Sequence, residues 1–537
     1  MQSSIRNVDA VVVGAGFAGL DAVRRLRDRG LTVQGFEAAG GVGGTWYWNR
    51  YPGARTDSKS YIYCYTFSAE IRDEWKWSEL FPTQQEVLAY LNFVADRLDL
   101  RPLFNFNTTV VSADWDDEGT HWIVRTHDGD VVAAKYLITA VGILSAPHRP
   151  QIEGIDTFAG QIVHTGRWPA EGVDVAGKRV AVIGSGSSGV QLLPIVAQQA
   201  EHLTLLQRTP NYVSQFNSPK FDDSDRQRIR DEHDTIQEQV RANPYAQAYT
   251  LAGVSAKEVT EAERRAVYEA AWSAGGLAMA MATFADLGID EESNNTAAEF
   301  VRAKIHSAVK DPEMAALLTP DYPYGVKRVP TSEGYYDTFN RDNINVVDLR
   351  RTPIQRFTAN GIVVGGEETA FDIVILATGF DAVTGALTRL GIRGRGGKAL
   401  EEVWADGPWN YLGYAVPGFP NLFSMVGPTM PAGNVPTTVE INGDWIDRII
   451  ATAQQRGATT IEATIEAADA WRSEVLELNA PLLLAKEGAR VNSWFIGANI
   501  EGKPISPLFY LGHANDYTAR STEERDKGFP NFTFSDR

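Results

Sequence analysis

Two stretches of this sequence place glycines where backbone alone could hold a nucleotide diphosphate. Asp9-Ala-Val-Val-Val-Gly14-Ala-Gly16-Phe-Ala-Gly19 and Arg179-Val-Ala-Val-Ile-Gly184-Ser-Gly186-Ser187-Ser-Gly189 each lead from a β-branched run through a glycine turn into a helical pattern. A residue without Cβ permits the tight turn, the approach of backbone to pyrophosphate and the close packing of helix on strand. The first N–H groups of the helix then face the phosphates. The two copies differ at the end of their second strand. Glu37 ends that strand in the first copy, Thr32 to Phe36, where an acid accepts hydrogen bonds from a ribose hydroxyl. In the second copy the strand Leu203 to Gln207 ends on Arg208 and Thr209. An acid there would repel a 2′-phosphate and an arginine holds it, so the second site is expected to take NADPH.

The elements that must position these turns repeat as well. Each copy reads as strand, helix and strand, then an antiparallel meander and a return strand, Tyr136 to Gly142 in the first and Phe371 to Gly379 in the second. The expected fold is therefore α/β, with two Rossmann-like dinucleotide-binding domains. Residues 221–320, rich in Ala, Glu, Arg and Gln at helical spacing, read as a helical subdomain inserted in the second. The expected division is 1–145 with 386–537 for the first domain, and 150–220 with 321–380 for the second. Turn-rich segments at Gly142–Pro150 and Gly379–Gly385 would link the two. Residues after about Tyr517 are polar enough to be expected mobile.

Composition narrows the chemistry. At 537 residues and 44% hydrophobic content, the chain is long enough for two or three packed domains. A formal charge of −18 excludes general affinity for nucleic acid or an anionic membrane, so any anionic ligand needs local cations. Cys64 is the only cysteine, which removes disulfide, cysteine-zinc and dithiol redox chemistry together. The N-terminal apolar run contains three glycines and enters Asp21, Arg24 and Arg25, unlike a membrane span or signal peptide. A cytoplasmic protein with no metal and no obligate protein partner is expected.

Further motifs carry a family resemblance. Gly40-Gly-Val-Gly43-Gly44-Thr45-Trp46-Tyr-Trp48-Asn-Arg50-Tyr51-Pro52-Gly53 resembles the FAD-contacting loop of flavin monooxygenases. Phe158-Ala-Gly160-Gln-Ile-Val-His164-Thr-Gly-Arg-Trp168-Pro169 resembles the Baeyer–Villiger monooxygenase signature F-x-G-x-x-x-H-x-x-x-W-P, whose Trp-Pro ending heteroatom-oxygenating relatives usually lack. Ala377-Thr-Gly-Phe-Asp381 and Ser493-Trp494-Phe-Ile-Gly497-Ala-Asn499 extend the likeness along nearly the whole chain, closest in appearance to cyclohexanone and steroid monooxygenases.

The resemblance implies an enzyme in which NADPH reduces FAD and dioxygen forms a flavin peroxide that attacks a ketone, giving an ester or lactone. It implies that Arg328 is the catalytic cation, that Asp57 orients it, and that Lys327 contacts the 2′-phosphate. Thr45, Trp46, Trp48 and Trp494 are implied cofactor contacts, and His164 a residue coupling the linkers. Family members often carry proline directly after the Lys-Arg pair, where this chain has Val329 before Pro330. A heteroatom oxygenase of the same superfamily and a non-catalytic redox flavoprotein are the competing readings.

Overall fold

The structure is a computed structural model that describes residues 5–251 and 253–536. Strand and helix follow the apolar pattern of each glycine motif. Ala10–Val13, Val180–Ile183 and Ile373–Leu376 are buried on both faces, the pattern expected of central parallel strands covered by helices. The first sheet has eight strands. Arg6–Val13 lies between Val33–Phe36 and Val131–Thr139, parallel to both, with Val13 opposite Phe36 and Thr139. The first meander, Val110–Asp116 and His121–Thr126, joins this sheet directly, and Ile392–Arg393 and Leu422–Ser424 return to it from the far end of the chain.

The second sheet is five-stranded and wholly parallel, in the order Ile344–Asp348, His202–Gln207, Arg179–Ile183, Ile373–Leu376, Gln161–His164. Its meander, residues 354–370, forms a separate three-stranded sheet. The signature motif thus begins as the edge strand of this sheet, with His164 opposite Leu376.

Residues 223–318 carry helices at Asp223–Asp231, His233–Ala242, Glu261–Ala274, Ala278–Met281, Glu291–Ala308 and Pro312–Leu318. They contact more than the second sheet. The Phe221 N–H donates to the Ser78 carbonyl at 2.9 Å, Arg226 Nε to the Trp77 carbonyl at 3.1 Å, and the Ala514 N–H to the Pro244 carbonyl at 2.7 Å. Leu483, Leu484, Val491 and Ile496 share an apolar core with Tyr268, Trp272 and Val301 of the insertion. The C-terminal third is therefore divided between the first sheet and the helical insertion.

The expectation of a mobile terminus after Tyr517 is corrected. Ala514–Asp526 is a helix, and Phe532–Ser535 pairs antiparallel with Thr460–Ala463. Tyr517 donates to the Leu412 carbonyl at 2.7 Å, and buried Glu524 accepts from Tyr411 at 2.9 Å. Phe529 and Phe532 close over Trp445, which stacks on Tyr414 at 4.0 Å. A polar sequence hid these anchors because they are widely spaced. Among the described residues no helix is long and apolar enough to cross a membrane.

Phe532→Ala removes an aromatic from this cluster and should cost about 3–5 kcal/mol. Thermal unfolding should report a lower melting temperature; an unchanged one would mean that the terminal strand adds nothing.

Candidate active site

Both glycine turns have the geometry their sequence calls for. Gly14 and Gly184 have φ of +108° and +110°, and a Cβ on them would lie 2.4 and 2.5 Å from the Ala140 and Ala377 carbonyl oxygens. Gly19 and Gly189 press on the carbonyls of Gly14 and Gly184, at 1.8 and 2.3 Å from a built Cβ. Gly16 packs against Gly44, whereas Gly186 faces open space. Phe17–Asp28 and Ser187–Gln199 begin directly after Gly16 and Gly186, and neither helix has a side-chain N-cap. Two helix N-termini without side-chain caps leave backbone N–H groups that fit two pyrophosphates.

Glu37 is buried, and its carboxylate accepts from the Ala15 N–H at 2.6 Å and the Ala39 N–H at 2.7 Å. Burial raises its pKa; those N–H groups and the charge of Arg167 oppose the rise. The acid is thus fixed in orientation at the turn, with lone pairs left for a ribose. Arg167 was not singled out by spacing. Its guanidinium lies 4.2 Å over the Trp48 ring and donates to the Gly166 and Ser145 carbonyls.

Two cations stand near one another beside the second turn. Arg208 and Lys327 have no acidic partner among the described residues, and each is shifted down by burial. Lys327 falls to about 8, pushed further by the charge of Arg208. Two cations that repel one another stay together at a cost, which a bound anion could offset. Thr209 is anchored at the strand end, where its carbonyl accepts from the Ser185 hydroxyl at 2.8 Å.

Arg328 adjoins Lys327 and donates to Asp57 Oδ2 at 2.6 Å, with side chains 34% and 15% exposed. This partial burial separates it from ordinary surface pairs, which solvent screens. Val329 is buried, and the Ser214 N–H donates to the Pro330 carbonyl at 2.9 Å, so the departure at Val329 leaves the loop docked. Asp57 follows the first glycine turn in the chain and Arg328 follows the second, so their contact crosses from the segment of one turn to that of the other. Other contacts cross the same boundary: Tyr51 donates to Gln191 at 2.8 Å, and the Trp168 N–H donates to the Trp48 carbonyl at 3.3 Å. Gln191 carried no sequence signal, because only the fold brings it to Tyr51.

His164 Nδ1 accepts from the Gly166 N–H at 2.9 Å, and Nε2 lies 3.4 Å from Thr378, whose hydroxyl donates to the His148 carbonyl. Burial lowers its pKa to about 4, so it is neutral at physiological pH and joins the two linker segments. Other expected contacts are spread more widely. Thr45 is exposed on the short helix Thr45–Trp48, and the Trp46 ring is core, edge-on to Tyr63 at 5.6 Å. Trp494 packs on Phe495 and Phe509 beside Ile143, Leu144, Ala382 and Val383, against both linkers.

Two nucleotide turns of unlike charge, one for each partner of a flavin–nicotinamide exchange, define the class as an FAD- and NADPH-binding oxidoreductase. The pyridine nucleotide-disulphide oxidoreductase family model matches residues 8–234. A Baeyer-Villiger monooxygenase of Pseudooceanicola batsensis is 42% identical over 97% of this chain and 95% of its own. A phenazine N-monooxygenase of Lysobacter antibioticus is 40% identical over 98% and 96%. The solved structure of an oxidized steroid monooxygenase bound to NADP matches with a TM-score of 0.93 and 46% identity, covering 99% of this chain and all of that one. The chain belongs to the Baeyer–Villiger monooxygenase family.

The Arg208–Lys327 pair gives a test of coenzyme choice. Arg208→Ala should raise the KM for NADPH one to two decades more than that for NADH, the equivalent of about 1.5–3 kcal/mol for a charge-assisted contact. A depressed lysine loses its proton as pH rises through about 8, and NADPH prefers the protonated form. The KM for NADPH should therefore rise above that pH, and Lys327→Ala should flatten the dependence. Equal losses for both coenzymes would remove these cations from phosphate recognition.

Proposed function

We propose that this protein inserts one oxygen atom of dioxygen between the carbonyl carbon of a ketone and a neighbouring carbon, the other oxygen leaving as water. The observation that carries the reading is the Asp57–Arg328 pair, a half-buried cation held between the two dinucleotide turns. When bound, FAD takes electrons from NADPH and activates dioxygen; the protein supplies position and charge. Gly14, Gly16, Gly19, Glu37 and the loop around Gly44 would hold FAD, and Gly184, Gly186, Ser187, Gly189, Arg208 and Lys327 would hold NADPH. We assign the two sheets, with the segments that complete them, to these cofactors as separate domains.

Arg328 stabilises the negative charge that develops when the carbonyl carbon is attacked. The guanidinium offers a planar, delocalised positive charge to that oxyanion. Asp57 orients the fork and cancels its charge in the resting state. Tyr51 is pushed up to about 12 by burial and remains a neutral donor to Gln191. Trp494, with Phe495 and Phe509, forms an apolar wall beside both linkers. A lone buried thiol supports residence in a reducing cytoplasm.

A second reading, oxygen transfer to a ring nitrogen or sulfur, draws support from the similarity to a phenazine N-monooxygenase. The Trp168-Pro169 ending and the Asp57–Arg328 pair favour the ketone.

Arg328→Ala should still bind FAD and still be bleached by NADPH without oxygen. Ester yield should fall at least about a hundredfold, matching the roughly 2.7–4 kcal/mol lost with an oxyanion donor. Arg328→Lys should recover part of it, since the charge remains but the planar fork does not. Anaerobic stopped-flow absorbance and product chromatography read the two halves separately. Wild-type ester yield in Arg328→Ala would overturn the assignment.

A further inference from the structure

The turn Tyr51 to Arg55 leaves the first glycine-aromatic loop and lies on Ser187–Gln199, the helix that follows the second glycine turn. Gln191 of that helix meets it with both ends of its amide. Its Oε1 accepts from the Tyr51 hydroxyl at 2.8 Å, and its Nε2 donates to the Arg55 carbonyl at 3.3 Å. Between these contacts Gly53, at φ +83°, presses on the helix backbone: a Cβ there would lie 2.5 Å from the Gln191 carbonyl oxygen and 3.0 Å from Ile195 Cδ1. One residue thus holds the start, the middle and the end of the turn. Tyr51 and Ala54 are buried in the apolar core of the second sheet, with Val190 and Val196 of the same helix.

This turn hands the chain to Asp57. The Thr56 N–H donates to the Pro82 carbonyl at 3.2 Å, and the Ser58 N–H to Thr56 Oγ1 at 3.1 Å, so the backbone is held on either side of the acid. The Arg55 side chain adds an anchor of its own, 3.4 Å from Glu79 and 4.6 Å over the Phe216 ring. Tyr51 stands within range of both members of the charge pair, Arg328 favouring its ionised form and Asp57 opposing it. An amide suits this place, because it offers a donor and an acceptor without a charge that would compete for Asp57 or Arg328.

We propose that Gln191 is a positioning residue, which sets Asp57, and through it Arg328, by clasping the Tyr51–Arg55 turn onto the helix after the second glycine turn. The inference rests on the ketone reading above and assigns the placement of its cation to a residue outside the charge pair. The helix assigned to NADPH then also fixes the acid that orients Arg328. A displacement of about 1 Å remote from the reacting atoms can cost about a hundredfold in rate, so neutral contacts at this distance are enough to act on turnover.

Two measurements on the flavin-loaded protein test this. The first compares kcat and KM in the wild type, Gln191→Met, Tyr51→Phe and the double variant, using whichever of cyclohexanone, 2-octanone and progesterone the wild type oxidises fastest. Methionine keeps the volume of the side chain and removes both amide contacts. Its kcat for ester should fall about tenfold or more, Tyr51→Phe should lose less, and the double variant should match Gln191→Met, with the KM for NADPH unchanged throughout. The second follows thermal unfolding by flavin fluorescence: Asp57→Asn should lower the melting temperature of the wild type and leave that of Gln191→Met where it was, because the acid is no longer held on Arg328. Tyr51→Phe deletes one oxygen atom and keeps the ring, so it reads the clasp even where Gln191→Met loses the fold. A raised KM for NADPH with kcat unchanged would make Gln191 a coenzyme contact; wild-type kinetics in Gln191→Met, or equal shifts by Asp57→Asn in both backgrounds, would leave it a structural staple; each overturns the proposal. Loss of the Asp57→Asn shift in Gln191→Met, with no ester from any of the ketones, would contradict the ketone reading and retain the positioning role.

Discussion

An acidic protein that must hold two anionic dinucleotides has to keep its own carboxylates from opposing them. With a formal charge of −18, the long-range field of this chain works against binding, and only local arrangement reverses it. Three features of the proposed sites would do so. Uncapped helix N-termini follow both glycine turns. Glu37, the acid at the first turn, is bound by backbone N–H groups and countered by Arg167. Arg208 and Lys327 stand together without an acid at the second. Asp57 is the acid among the proposed catalytic residues, and Arg328 cancels it.

The same constraint ties the two units together. Arg328 comes from the loop after the helical insertion and Asp57 from the segment after the first glycine-aromatic loop, so their 2.6 Å contact requires the units to be docked. The docking is reinforced by neutral contacts that need no counter-charge: Tyr51 to Gln191, Trp168 to Trp48, and the His164–Thr378–His148 chain across the linkers. The signature motif therefore works at a seam. Its first half is an edge strand of the second sheet, and its Trp168 meets the loop of the first.

Features that depend on a short window of sequence were legible in it. The glycine turns, their strands and helices, and the change from Glu37 to Arg208 follow from local rules of backbone and charge. Arg328 and Asp57 were legible only through resemblance, because nothing local says that residues 271 apart in sequence will meet. Arg167 and Gln191 escaped notice for the same reason: each makes its contacts with a partner supplied by another segment. The terminal helix and strand were misread because their burial rests on Tyr517, Glu524, Phe529 and Phe532, too far apart to form a period.

The central claim is the direction of oxygen transfer, set by a permanent cation beside a carbonyl rather than by a sulfur or nitrogen nucleophile. Supplying the NADPH-driven enzyme with isotopically labelled dioxygen and a ketone and a sulfide together, then weighing the products, tests it most directly. The account predicts an ester or lactone carrying one labelled oxygen, formed faster than labelled sulfoxide. Labelled sulfoxide with the ketone returned unchanged would contradict it.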